Sequence, residues 1–222
     1  RQGINIPARE ISGDFYDFYT HNDQIYFTLC DVSGKGVNAG MVMARAITLF
    51  KIYSKNKFKP NEIHYEMNND LRQTNPRGVY VTSIVGSYNS QTDFIELSNA
   101  GHLPALFKNG QGFKEYESSS LPLGIKKADN SNEYKLESFK LDNGRLYCFT
   151  DGFSECRNDK GEEIGISGVK DLINNYQNAS LKKELSKIIK DVEGKSIKGQ
   201  NFNQNNNNNI LEDDLTIIGL GK

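Results

Sequence analysis

Four short aspartate motifs lie scattered along the chain, and each abuts an apolar run that reads as a β-strand. They are Gly13-Asp14-Phe15-Tyr16-Asp17, Asp31-Val32-Ser33-Gly34-Lys35-Gly36, Thr150-Asp151-Gly152 and Asp213-Asp214-Leu215-Thr216. A fold for this chain must therefore accommodate carboxylates that emerge where strands begin or end. Gathered together, such groups repel one another and lose hydration, so a fold collects them only around a cation. Ligands that are all oxygen, with no His or Cys among them, suit a hard ion such as Mg²⁺ or Mn²⁺. The first expectation is a metal cluster that supports metal-assisted chemistry.

The runs between the motifs set the fold class. Residues 24–30 alternate, with Ile25, Phe27 and Leu29 on one face, as a half-buried strand requires. After Gly34 and Gly36 the period becomes helical over 37–53, where Met41, Ala44, Thr48 and Ile52 form a stripe flanked by Val42, Ile47 and Leu49. A second helix is expected over 60–73, because Pro60 suits a first helical turn and Ile63, Met67 and Leu71 recur along one face. Strands are expected at 79–88, 94–98, 105–108, 113–117, 133–141, 145–150 and 215–220. Asn109-Gly110 and Asn143-Gly144 read as hairpin turns. Helical patterns cover 167–176 and 181–192. Hairpins and paired helices without strict β-α-β alternation indicate an α+β fold with largely antiparallel sheets.

Length and composition bound the rest. With 222 residues the chain reads as a single domain over 1–222, interrupted at 199–209 by an asparagine-rich, flexible loop. Its abrupt start at Arg1 suggests a domain excised from a longer regulatory protein. A formal net charge of −1 gives no electrostatic reason to bind nucleic acid or an anionic membrane. No apolar run approaches the ~20 residues of a membrane span, and no signal peptide is visible. Three cysteines, Cys30, Cys148 and Cys156, lack metal-site spacing and fit reduced residues in a cytoplasmic protein.

Singly, each aspartate motif has an ordinary explanation as a turn or strand boundary. The segment from Asp31 to Gly36 is the most specific: a strand ends in Asp, two glycines allow a sharp turn, and a helix follows. That geometry can hold a metal or a phosphate, and it lacks the spacing of a P-loop. Asn99-Ala100-Gly101-His102 adds a polar turn at another strand end. His21 and His64 lie in polar sequence surroundings with no metal-ligand partner.

In this order the motifs resemble the PPM-type metal-dependent phosphatases, the protein phosphatase 2C superfamily. More narrowly, they resemble the bacterial branch named for stage II sporulation protein E, which acts on sigma-factor regulatory systems. The likeness runs from Pro7-Ala8-Arg9-Glu10 to Asp213-Asp214-Leu215-Thr216 and includes Asn99-Ala100-Gly101-His102-Leu103-Pro104 and Leu121-Pro122-Leu123-Gly124. It implies a four-layer α-β-β-α sandwich, two antiparallel sheets flanked by helix pairs, with a binuclear Mn²⁺ or Mg²⁺ centre at one edge. By motif, Asp31 would bridge the ions, the Val32 carbonyl would ligate one, and Asp151 and Asp213 would complete the other. Asp14 would hold metal-bound waters or ligate directly. Asp17, Asp214 and His102 would stand behind the ligands, and Arg9 matches the place of a phosphate-binding arginine.

The activity implied is hydrolysis of phosphoserine or phosphothreonine by metal-activated water. The implied substrate is a STAS-type anti-sigma-factor antagonist. Members of the branch are often fused to sensor, receiver or membrane segments, so the parent protein can be membrane-anchored; a second copy of the chain is a further candidate partner. Ser33 follows Val32 where some eukaryotic members carry a histidine, which leaves the general acid unassigned. Two other readings compete: a catalytically silent binding module of the same fold, and a haloacid-dehalogenase-like phosphatase. The latter needs an Asp-x-Asp pair, and here Ser33 stands two residues after Asp31.

Overall fold

Strand alternation explains the layers of the molecule. The computed structural model describes residues 1–8, 12–158, 160–176, 179–198, 211 and 213–221; Arg9 and the 199–209 segment lie outside the described residues. One five-stranded sheet has the order β2 (Asp14–His21), β3 (Gln24–Val32), β4 (Val81–Asn89), β5 (Phe94–Ala100) and β8 (Glu137–Lys140). The other has the order β1 (Gln2–Ile6), β10 (Leu215–Gly221), β9 (Arg145–Phe149), β6 (Ala105–Asn109) and β7 (Gly112–Tyr116). Every pairing between these strands is antiparallel. That excludes the haloacid-dehalogenase-like alternative, which requires parallel strands joined by crossover helices.

In β3, Phe27 and Leu29 face the second sheet, forming one core with Ile84 and Leu97 of their own sheet and with Leu146, Cys148 and Ile218 of the other. Tyr26, Cys30 and Val32 face the other way, toward α1 (Val37–Lys55) and α2 (Pro60–Thr74). On the second sheet Tyr147, Phe149, Leu215 and Ile217 pack under α4 (Gly165–Tyr176) and α5 (Leu181–Lys198). Three apolar layers between four structural ones make the expected α-β-β-α sandwich. A strand covered on both faces reads as a nearly continuous apolar run, as β10 does.

Helix α1 buries a different face from the one its sequence suggests. Ala39, Val42, Ala46, Phe50 and Ser54 are buried, whereas Met41 is 67% exposed and Ile52 46% exposed. Both stripes keep a helical period. The small Ala39 and Ala46 let the helix approach the sheet, and this turns the larger Met41 outward. Helix α2 buries Ile63, Met67 and Leu71 as expected, together with His64 and Asn68. Its first turn is fixed by Pro60 and by the Lys59 N–H, which donates to Glu62 Oε2 at 2.8 Å.

The Asn143-Gly144 turn is not a hairpin. β8 pairs with β5 at the edge of one sheet, and β9 lies between β10 and β6 in the other. The turn, closed by Gly144 N–H donating to the Leu141 carbonyl at 2.8 Å, carries the chain between sheets. The expected strand at 133–141 shortens to β8, preceded by a 3₁₀ turn at Ser131–Glu133. Asn109-Gly110 does join β6 to β7 as a hairpin. A further hairpin, β2 to β3 through Asn22 and Asp23, has no glycine to announce it; Asn22 supplies the left-handed residue at φ 50°.

His64 corrects its polar appearance in sequence, because it is fully buried. Nδ1 lies 3.0 Å from Ser98 Oγ and Nε2 3.0 Å from Ser83 Oγ, with the Tyr134 ring alongside. Burial holds its pKa down at about 3, against an ordinary 6.5. Between these values the unfolded chain binds a proton that the folded chain refuses. The stability owed to neutral His64 is therefore complete above pH 6.5 and is lost as pH falls, by about 1.4 kcal/mol per pH unit. His64→Gln cannot be protonated, so the gap between its urea midpoint and that of the wild type should narrow by about 2 kcal/mol from pH 6.5 to 5. A gap that stays constant would show that the imidazole is not held neutral.

α5 is fastened to β9 through Glu184, which is fully buried. Arg145 pairs with its Oε2, and the Tyr147 hydroxyl donates to Oε1 at 2.8 Å. No helix of the described residues is long and apolar enough to cross a membrane.

Candidate active site

Each long strand changes character at the same edge of the sandwich. Along the rows that face between the sheets, Tyr16 gives way to Asp14, Leu29 to Asp31, Ile84 to Thr82 and Leu97 to Asn99. On the opposing sheet Cys148 gives way to Thr150 and Ile218 to Thr216. The inter-sheet core is thus capped at one end by polar groups. Asp14 and Asp31 are directly paired across β2 and β3, so their side chains share that inner face.

The second sheet supplies the other carboxylates. Thr150 stands at the N-cap position of the short helix α3 (Asp151–Ser154), without a side-chain capping bond, which places Asp151 in the first turn immediately beyond β9. Asp213 and Asp214 immediately precede β10, and the Asp214 N–H donates to Asp213 Oδ1 at 2.9 Å. Gly152 allows the two segments to approach: a Cβ there would lie 2.3 Å from the Asp214 carbonyl oxygen. Gly13 plays the same part on the first sheet, where a Cβ would stand 2.9 Å from the Val32 carbonyl oxygen and 3.4 Å from Asp31 Oδ1.

Charge couples these groups. Asp14 is 4% exposed, and its pKa is pushed up to about 8, first by burial. The Thr150 hydroxyl opposes that shift, Asp31 adds to it, and the Thr216 hydroxyl also opposes it. Asp31 is pushed up to about 7 by burial and then by Asp151, Asp213 and Asp214. Asp151 is raised by burial and by Asp213, against the N–H groups of its own turn. Asp14, Asp31, Asp151 and Asp213 therefore form one electrostatic unit drawn from both sheets.

The donor set fits a hard divalent cation. It consists of oxygen alone, and Asp14 Oδ2 is buried with no hydrogen-bond partner. Among the described residues no three acidic, histidine or cysteine side chains close around one point. Mg²⁺ does not require that, because it keeps several waters and takes one or two carboxylates from the protein.

The remaining expected residues are placed differently. Asp214 holds the chain leading into β2: its Oδ1 accepts from Ala8 N–H at 2.7 Å, and its Oδ2 from Ser12 Oγ at 2.6 Å and Gly13 N–H at 3.0 Å. Asp17 lies three residues beyond Asp14 and so on the opposite sheet face, where Lys51 of α1 pairs with it at 3.0 Å. It is not brought to the cluster. His102 is buried and spans the sheets. The Phe149 carbonyl can only accept, so Nε2 donates to it at 3.1 Å, and Nδ1 accepts from Thr82 Oγ1 at 2.7 Å. Burial holds its pKa down at about 4. This neutral imidazole links the strand that ends beside Asp151 to the residue paired with Asp31.

Asn5, Thr82, Thr150 and Thr216 belong to the site although sequence reasoning assigned them no role. For the three threonines the signal was available in the period of two, a polar residue at the end of an otherwise apolar inner row; Asn5, which shares its face of β1 with Gly3, had no such signal.

Residues 21–221 match the family described as Stage II sporulation protein E. The chain belongs to this family. It is 26% identical over 220 residues to the phosphoserine phosphatase RsbU of Bacillus subtilis (strain 168); the match covers 98% of this chain and 61% of that relative, so the chain spans under two thirds of its length. The SiaA-PP2C domain of Pseudomonas aeruginosa has the same fold, with a TM-score of 0.81 at 16% identity over 99% of this chain and 84% of that one. RsbX, solved in complex with magnesium, superposes with a TM-score of 0.71 at 14% identity, covering 98% of this chain and 92% of that one.

Proposed function

We propose that this chain is a metal-dependent protein phosphatase that removes phosphate from phosphoserine or phosphothreonine of a regulatory protein. The observation that carries this reading is the coupled carboxylate unit at the sandwich edge, in a member of the stage II sporulation protein E family. Asp31, Asp151, Asp213, Asp14 and the Val32 carbonyl would hold two Mn²⁺ or Mg²⁺ ions. When bound, the ions supply a water nucleophile at neutral pH and offset charge on the phosphoryl oxygens.

The side chains of the protein support that chemistry by holding and shielding. Asp214 fixes the segment that delivers Asp14, and neutral His102 ties the two sheets together beside the carboxylates. Both His102 nitrogens are engaged, so it has no proton to give a leaving alkoxide, which takes one from solvent. A cysteine nucleophile is not used: Cys30 and Cys148 are buried, and burial pushes the Cys30 thiol up to about 12. The name of RsbU supports phosphoserine as the substrate group; a STAS-type anti-sigma-factor antagonist as its carrier is what the motif resemblance implies.

The test is phosphate release from phosphorylated STAS proteins and from phosphoserine and phosphothreonine peptides, with Mn²⁺, with Mg²⁺ and with a chelator. Release is expected with a metal ion and not with chelator or with Asp151→Asn. If neither ion supports hydrolysis of any of these substrates, the phosphatase reading fails. Hydrolysis of peptides but of no STAS protein removes only the substrate assignment.

A further inference from the structure

Strands β2 and β3 pair in one register as far as Asp14 opposite Asp31, so the next pair outward is Gly13 opposite Val32. The Val32 N–H donates to the Gly13 carbonyl at 3.2 Å, which marks a pair of the kind that exchanges two bonds. The return bond, from the Gly13 N–H to the Val32 carbonyl, is missing. The Gly13 N–H donates to Asp214 Oδ2 at 3.0 Å instead, reaching a residue that leads into the opposite sheet.

Nothing else among the described residues replaces that bond. On the β4 side the partner of Val32 is Val81, which exchanges both its bonds with Leu123, at 3.0 and 2.8 Å. The Ser33 N–H, at the far end of the same peptide group, donates to the Tyr80 carbonyl at 2.9 Å. That anchors the peptide plane with the Val32 oxygen directed away from β4. Val32 is 1% exposed, so little water reaches this acceptor, and buried carbonyls are normally paired. The Val32 oxygen and Asp31 Oδ1 flank one space in front of Gly13, where a Cβ would stand 2.9 Å from the first and 3.4 Å from the second. Two such oxygens side by side are what a hard cation takes. Asp214 itself is filled: Oδ2 also accepts from the Ser12 hydroxyl at 2.6 Å, and Oδ1 from the Ala8 N–H at 2.7 Å.

We infer that Asp214 is a positioning residue: by taking the Gly13 N–H it holds the β2–β3 ladder open at Val32 and leaves that carbonyl for a divalent cation. The inference rests on the metal-dependent reading above, and it gives Asp214 no contact with the ion or with substrate. Partners behind a metal ligand typically govern about 10–100-fold in metal affinity.

The experiment is NMR of one peptide group, titrated with Mg²⁺. Val32-Ser33 is the only Val-Ser step in the sequence, so a chain labelled with ¹³C at valine carbonyls and ¹⁵N at serine gives a single carbonyl–amide peak for it. In the wild type, Mg²⁺ is expected to shift the Val32 carbonyl. In chelator, Asp214→Ala is expected to shift it as well, because the Gly13 N–H returns to it. The variant should then need about 10–100-fold more Mg²⁺ to reach the bound position. A folded variant whose metal-free peak matches the wild type overturns the inference, since a lost charge alone weakens Mg²⁺ binding without closing the ladder. Should the variant fail to fold, the wild type decides. Mg²⁺ binding that leaves the peak unmoved, or a coupling across a hydrogen bond from the Gly13 N–H to the Val32 carbonyl in chelator, overturns the inference; a Mg²⁺-dependent shift with no such coupling supports it. Metal-dependent hydrolysis with an unmoved peak overturns this inference alone, and a shifted peak without hydrolysis overturns the phosphatase reading alone.

Discussion

Asp31→Asn is expected to abolish metal-dependent hydrolysis and, in the same protein, to raise the stability of the metal-free fold. The loss should be on the order of 10³-fold, since a catalytic ion contributes several kcal/mol of charge stabilisation that depends on its ligands. The gain follows from linkage. The Asp31 carboxyl is pushed up to about 7 in the fold, from an ordinary 3.8. Between those values the folded state holds a proton that the unfolded state has lost, so the contribution of Asp31 to stability declines as pH rises. Above pH 7 the full cost is present, on the order of 2 kcal/mol after allowance for its partial exposure. Asparagine carries no charge and avoids that cost. Urea midpoints in chelator should therefore coincide near pH 4 and diverge by pH 8, with the variant more stable. A variant that keeps a tenth of wild-type hydrolysis, or that is less stable at pH 8, contradicts the assignment.

Glu184→Ala has the largest expected effect on stability away from the site. Truncating one member of a buried ion pair costs about 3–5 kcal/mol, and the lower end applies because the Arg145 side chain keeps 21% exposure. The substitution also takes from the Tyr147 hydroxyl the carboxylate it donates to. Glu184→Gln keeps an acceptor for Tyr147 and should lose less. A urea midpoint equivalent to under about 1 kcal/mol of loss for Glu184→Ala would mean that apolar contacts, not this pair, fasten α5 to β9.

The strand ends that carry Asp14, Asp31, Asp151 and Asp213 were legible, because each carboxylate interrupts an apolar run. The helix at Pro60 was legible for the same kind of local reason. What escaped depends on tertiary packing. The buried face of α1 is decided by which residues are small enough to approach the sheet, and Met41 and Ala39 fit a helical period equally well. Asn143-Gly144 makes a turn in either case, and only the partner strands tell a hairpin from a passage between sheets. His64 looks exposed beside Glu62 and Glu66, but its partners, Ser83 and Ser98, lie on strands remote in sequence.

The site draws its groups from two sheets, and this gives the core between them a second duty as a calliper. Asp14 and Asp31 ride on one jaw, Asp151 and Asp213 on the other, and the gap is set by Phe27, Leu29, Ile84, Leu97, Cys148 and Ile218. Close-packed interiors transmit a change of one methylene group to their surroundings. A misplacement of about 1 Å at a reacting centre can cost about 100-fold in rate. Substitutions in that layer, far from any carboxylate, will therefore register in catalysis before they register in folding, and the thickness of the core is itself part of the chemistry.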